Sequence, residues 1–98
     1  MRVCYEFEVK AGEEEALENF YYTSILPHVR QAQGYQEEVL LRLAGTRSKY
    51  MILGRWTSFD VFDRWRKAPE HRLAVKDFSS FFTGKPRISI YDEIAPQA

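Results

Sequence analysis

Residues 2–10, RVCYEFEVK, place Val3, Tyr5, Phe7 and Val9 on one side and Cys4, Glu6 and Glu8 on the other, the period of a half-buried β-strand. Gly12 ends that alternation. Glu13, Glu14, Glu15 and Glu18 follow, where the positive end of a helix macrodipole favours carboxylates, so a first helix starts here. At about 100° per residue, Leu17, Phe20, Tyr21, Ser24 and His28 share one helix face, with Tyr22, Leu26 and Val29 in a second stripe. Pro27 lies inside this pattern and removes a backbone donor, which predicts a bend; the helix then resumes through Ala32 and stops at Gly34.

Residues 35–43, YQEEVLLRL, and 49–56, KYMILGRW, read as two strands of a hairpin joined across 44–48. The second is apolar at nearly every position, so both its faces are expected to be covered, one by helices and one by a partner sheet. Thr57 and Ser58 are helix-capping residues ahead of Phe59, Phe62 and Trp65 at helical spacing. Ala68-Pro69 breaks that helix, and Pro69 opens another whose His71, Val75, Phe78 and Phe82 form an apolar stripe. Residues 87–94, RISIYDEI, alternate as a last strand before a short polar tail. The order βαββαβ predicts one α+β domain over residues 1–98, ferredoxin-like, with a four-stranded antiparallel sheet covered by helices on one face. The opposite, apolar-bearing face would be a large exposed patch, so a homodimer joined through sheet faces is the physical expectation.

Composition narrows the partners. The 98 residues carry 14 basic and 14 acidic side chains, leaving no net positive field to hold a nucleic-acid backbone or an anionic membrane. Arg55, Arg64, Arg66, Lys67 and Arg72 do interleave with Trp56, Phe59, Phe62 and Trp65, but Asp60, Asp63 and Glu70 interrupt them as on an ordinary solvated helix face. A single cysteine, Cys4, excludes an internal disulfide or a CxxC site and suits a reducing compartment, so the expected location is cytoplasmic. No leader pattern or spanning apolar run is present. GxGxxG, P-loop and GxSxG motifs are absent as well.

The opening strand with Gly12, the segment ILPHVRQAQGY from Ile25 to Tyr35, and WTSFDVFDRWRKAPEH from Trp56 to His71 resemble the antibiotic biosynthesis monooxygenase family. The last segment is similar to a family pattern W-x-S-x-x-x-F-x-x-W-x-x-S-P-x-H, with Ala68 in place of the usual Ser. The resemblance implies a dimeric α+β barrel. It leaves several activities open: cofactor-free oxygenation of hydroxylated aromatics to quinones, haem degradation, isomerisation, or none. Haem degraders in the family carry a ligand His where this chain has Val75 and an Asn where it has Tyr5, so the resemblance implies no haem. Some quinone-forming members carry an Asn at the position of Val61, so their hydrogen-bonding scheme is not carried over, whereas Trp65 is retained and His71 falls where such members can carry Tyr.

The candidate site follows from residue chemistry. Trp65 offers a flat wall and an N–H donor to a planar substrate. His71 titrates near neutrality at the head of an apolar stripe, and His28 sits beside the expected bend; either is a candidate general base, or a ring satisfied by a nearby carbonyl. Tyr5, Phe7, Tyr21 and Phe62 are candidates to line the same pocket. Two His without carboxylates at ligand spacing make no metal site, so no metal or cofactor is expected. The reading is a cofactor-independent monooxygenase acting on a small planar aromatic. The alternatives are a module that binds a small hydrophobic ligand without turnover, and a cofactor-free isomerase.

Overall fold

The opening alternation becomes β1 (Arg2–Glu8), and the computed structural model, which describes residues 1–96, continues through α1 (Glu14–Phe20), a π-helical turn (Tyr21–Ile25) and α2 (Leu26–Val29). β2 (Tyr35–Arg42) and β3 (Lys49–Trp56) form the expected hairpin; α3 (Phe59–Arg66), α4 (Pro69–Ser79) and β4 (Arg87–Tyr91) complete the chain. The last two residues of the polar tail lie outside the described residues. The sheet is antiparallel throughout, in the order β2-β3-β1-β4. This is the α+β, ferredoxin-like arrangement, with every helix on one face of four strands.

Pairing partners in an antiparallel ladder share a face. Val3 pairs with Gly54 and Ile90, Tyr5 with Ile52 and Ile88, Phe7 with Tyr50, and Gly54 in turn with Glu38. These positions face the helices. The core is aromatic: Phe7 stacks on Phe82 with ring centroids 4.5 Å apart, meets Phe78 edge-on at 5.4 Å and lies parallel to Tyr50 at 5.7 Å. Burying a side chain of this size stabilises the fold by roughly 1.5–3 kcal/mol.

The first helix departs from its expected course. The chain widens into a π turn before Pro27, with the Leu26 N–H donating to the Tyr21 carbonyl five residues back. Pro27 has no N–H and its ring crowds the carbonyl four residues earlier, which the wider turn relieves. The extra residue passes the buried face from Ser24, which is exposed, to Ile25, which is buried. Helical residues end at Val29 instead of Ala32, followed by tight turns up to Gly34 at φ +88. A Cβ at Gly34 would collide with Val61 and Thr57, so this glycine lets the α2–β2 corner close against α3.

Two further boundaries differ. Phe82 lies beyond α4 and reaches the core by bridging to Val9, not as a helical residue. The last strand stops at Tyr91; Glu93, expected within it, instead accepts from the Nε of Arg2 at 2.9 Å and of Arg55 at 3.1 Å. On the face away from the helices, Val39, Leu41 and Tyr91 are exposed, while Met51 and Leu53 are half-buried. β3 is thus fully covered on its helix side only.

Candidate active site

Ser58 opens α3 in extended conformation, and its hydroxyl accepts from the Val61 N–H at 3.4 Å. That start directs Phe62 and Trp65, three residues apart, toward the sheet. Ala68 is extended, as a residue before proline must be, and Pro69 begins α4 so that His71 folds back on Trp65 with ring centroids 3.6 Å apart. Trp56, at the end of β3, stands 5.1 Å from Trp65 and 5.4 Å from Phe62. His28 arrives after the π turn, 5.9 Å from Trp65 and 6.0 Å from His71, its ring within 4° of parallel to the second imidazole.

Between these helices and the sheet lies a cavity of about 100 Å³. Val3, Tyr5, Glu38, Ile52, Gly54 and Trp56 form its sheet side; Ile25, Phe62, Trp65, His71, Val75 and Phe78 form its helix side. The exposed lining residue Ile88 and the part-exposed Arg66 mark its open rim. Gly54 creates part of the space: a Cβ there would stand 3.5 Å from Nε1 of Trp56 and 3.7 Å from Oε1 of Glu38. A wider, open depression of about 520 Å³ runs along Leu41, Leu43, Lys49 and Met51 and touches Phe7, but it gathers no indole or imidazole.

The electrostatics of the cavity are those of a desolvated site. Burial, helped by the neighbouring His28, pushes His71 down to about 4, so its imidazole is neutral at physiological pH. Nδ1 of His71 and Nε2 of His28 are buried with no hydrogen-bond partner among the described residues. The arrangement in which each ring is satisfied by a nearby carbonyl is therefore incomplete. Burial alone raises the Tyr5 hydroxyl to about 12. Glu38 is lifted to about 6 by burial, opposed by the Tyr21 hydroxyl that donates to its Oε2 at 2.8 Å. Burial, then the adjacent Glu38 carboxylate, pushes Tyr21 itself far up, so it stays a donor.

Tyr5, Phe62, Trp65 and His71 thus line one cavity, as their sequence positions suggested, and His28 stands directly behind His71. Phe7 and Tyr21 do not line it: Phe7 packs beneath, among Tyr50, Phe78 and Phe82, and Tyr21 holds Glu38 from the side. Glu38, Gly54 and Trp56 are lining residues that sequence reasoning missed. For Glu38 the available signal was the alternation of β2, where it shares a side with Leu40; that strand carries apolar residues on both sides, which hid the inward face. Among the described residues no cluster of three or more His, Cys, Asp or Glu is placed to hold a metal ion, and no helix is long and apolar enough to cross a membrane.

Similarity to known proteins agrees with this architecture. Among solved structures, a conserved protein from Methanosarcina mazei superposes with a TM-score of 0.84 at 15% identity, covering 95% of this chain and 91% of that one. SnoaB, a cofactor-independent oxygenase from Streptomyces nogalater, superposes at 0.76 with 19% identity over 98% of this chain and 96% of its own. Rv0793 from Mycobacterium tuberculosis gives 0.79 at 16% identity over 99% and 97%. At these identities the likeness establishes the fold. A search of the curated proteins found no match. The family model described as antibiotic biosynthesis monooxygenase matches residues 1–77, which span β1 through most of α4 and hence nearly the whole cavity wall. The chain belongs to the antibiotic biosynthesis monooxygenase family.

Proposed function

We propose that the domain is a cofactor-independent monooxygenase that oxidises a small hydroxylated aromatic, of quinol or polyketide-like type, in the cavity between sheet and helices. The observation that carries this reading is an apolar chamber walled by Trp56, Phe62 and Trp65 in which a neutral imidazole, His71, has an unpaired buried nitrogen. Its volume is below the roughly 150 Å³ of a cavity that takes up benzene, so a ligand ring sits only partly within it and the remainder of the ligand rests at the open rim beside Ile88 and Arg66.

In this reading Trp65, Tyr5 and Phe62 clamp the ring, and His71, its plane supported by His28, forms a hydrogen bond to a substrate oxygen. Loss of the hydroxyl proton raises the electron density of the ring enough for direct reaction with dioxygen. The substrate gives up its ring C–H and O–H bonds; one oxygen atom becomes the new quinone carbonyl and the other leaves as water. A largely apolar wall that keeps most bulk water from the ring protects the electron-rich intermediate.

The protein works as a homodimer through the sheet face that carries Val39, Leu41, Met51 and Leu53, in the cytoplasm, where Cys4 stays reduced. The test is oxygen uptake against hydroquinones, dihydroxynaphthalenes and anthrones, with Trp65→Phe and His71→Ala alongside. Uptake above the spontaneous rate that falls at least tenfold in either variant supports an oxygenase. A flat panel refutes it, and a flat panel with tight binding assigns ligand binding without turnover.

A further inference from the structure

Glu38 is an ionisable side chain on the inner face of an edge strand, and among the described residues none of the ion pairs includes it. Its neighbours on the same strand behave differently: Glu37 meets Arg2 and Arg55 on the opposite face. A half-buried carboxylate without a cation costs stability unless its oxygens find donors. Tyr21 supplies one, to Oε2. Oε1 lies close to Gly54, where the place a side chain would take is 3.7 Å from this acceptor and 3.5 Å from the Trp56 indole nitrogen.

We propose that Glu38 recognises the hydroxyl of the ligand: a hydroxyaromatic enters with its ring against Trp65 and its O–H donating to Oε1 beside Gly54. When the ligand is oxidised, its O–H bond breaks, the proton passes to Oε1 and the electron pair stays on the ligand oxygen. This rests on the reading of the cavity as the ligand site but not on dioxygen as co-reactant. Glu38 suits the role better than His71: a carboxylate lifted to about 6 is the stronger proton acceptor beside an imidazole lowered to about 4, and it sits nearer the operating pH of a general base. The other titratable or charged groups around it are Tyr21 from the π turn, Tyr35 from β2, Tyr5 from β1, Arg66 from α3 and His71 from α4, with His28 behind the last.

The test is calorimetric titration of the full chain with 2-naphthol and with 2-methoxynaphthalene at pH 7.5 and pH 5. Wild type should prefer the hydroxyl probe by about tenfold or more at pH 7.5, the scale of a hydrogen bond to a charged acceptor, and the preference should shrink at pH 5. Glu38→Gln should lose most of the preference and its pH dependence while keeping its affinity for the methoxy probe. Gly54→Ala, whose added Cβ makes only ordinary contacts of 3.5 Å or more, should fold normally and bind both probes more weakly. Equal affinity for the two probes in wild type, binding of neither, an undiminished preference in Glu38→Gln, or unchanged binding in Gly54→Ala each overturns the proposal. An intact preference in a protein that consumes no oxygen would refute the oxygenase reading and support this one.

Discussion

Replacing Glu38 by Gln should stabilise the unliganded protein, and only above the pH at which the carboxyl ionises. In the unfolded chain this group loses its proton near 4.5, whereas burial in the folded chain holds it to about 6. The sign follows from proton uptake: between these values the folded state binds more protons, so its stability falls as pH rises through the window and stays lowered above it. At about 1.4 kcal/mol per decade, the ionised carboxylate costs the folded chain about 2 kcal/mol at pH 7. Gln keeps the shape and an oxygen for the Tyr21 hydroxyl but never ionises. With an m-value of about 1–2 kcal/mol/M, the urea midpoint of Glu38→Gln should exceed that of wild type by about 1–2 M more at pH 7.5 than at pH 4. Taking the difference between the two proteins at fixed concentration cancels His71 and any effect of self-association. Parallel stability curves for the two proteins from pH 4 to 7.5 would refute the placement of this carboxylate in a desolvated site.

His71 should act in the opposite direction: its folded value of about 4 lies below the ordinary 6.5, so its contribution is complete above about 6.5 and is lost as pH falls toward 4; His71→Gln should remove that acid-side slope in urea midpoints. Gly34→Ala should destabilise by more than about 1 kcal/mol, read as a lowered urea midpoint, because a side chain there is strained at φ +88 and collides with Val61 and Thr57. Leu53→Glu, on the sheet face away from the helices, should convert a dimer to a monomer in sedimentation equilibrium while the circular dichroism of the chain is kept; a wild-type monomer would contradict the sheet-face assembly.

Strands were legible because their period is short and their turns are marked: β3 falls on residues 49–56 as read, and β1 falls short of its expected end at Lys10 only where Val9 turns to meet Phe82. Ser58 and Pro69 likewise announced the starts of α3 and α4. The first helix was misread because helical periodicity assumes a constant 3.6 residues per turn, and the π turn ahead of Pro27 adds a residue that hands the buried position from Ser24 to Ile25. The helix side of the cavity was visible as an aromatic stripe, so Phe62, Trp65 and His71 could be placed together. Its sheet side depended on register across three strands, and the neighbourhood of Glu38 and Gly54 is a pairing that local pattern does not encode.

The most direct measurement is the fate of oxygen. Wild-type protein, free of added metal and cofactor, is incubated under heavy-isotope dioxygen with 1,5-dihydroxynaphthalene, whose ring carbon para to a hydroxyl carries a hydrogen so that a quinone forms only by gaining an oxygen atom, with Trp65→Ala as control, and the quinone product is weighed by mass spectrometry. One labelled oxygen atom per quinone is expected, formed faster than without protein and slowed in Trp65→Ala. Product formed at the spontaneous rate, or quinone carrying no label, would contradict it.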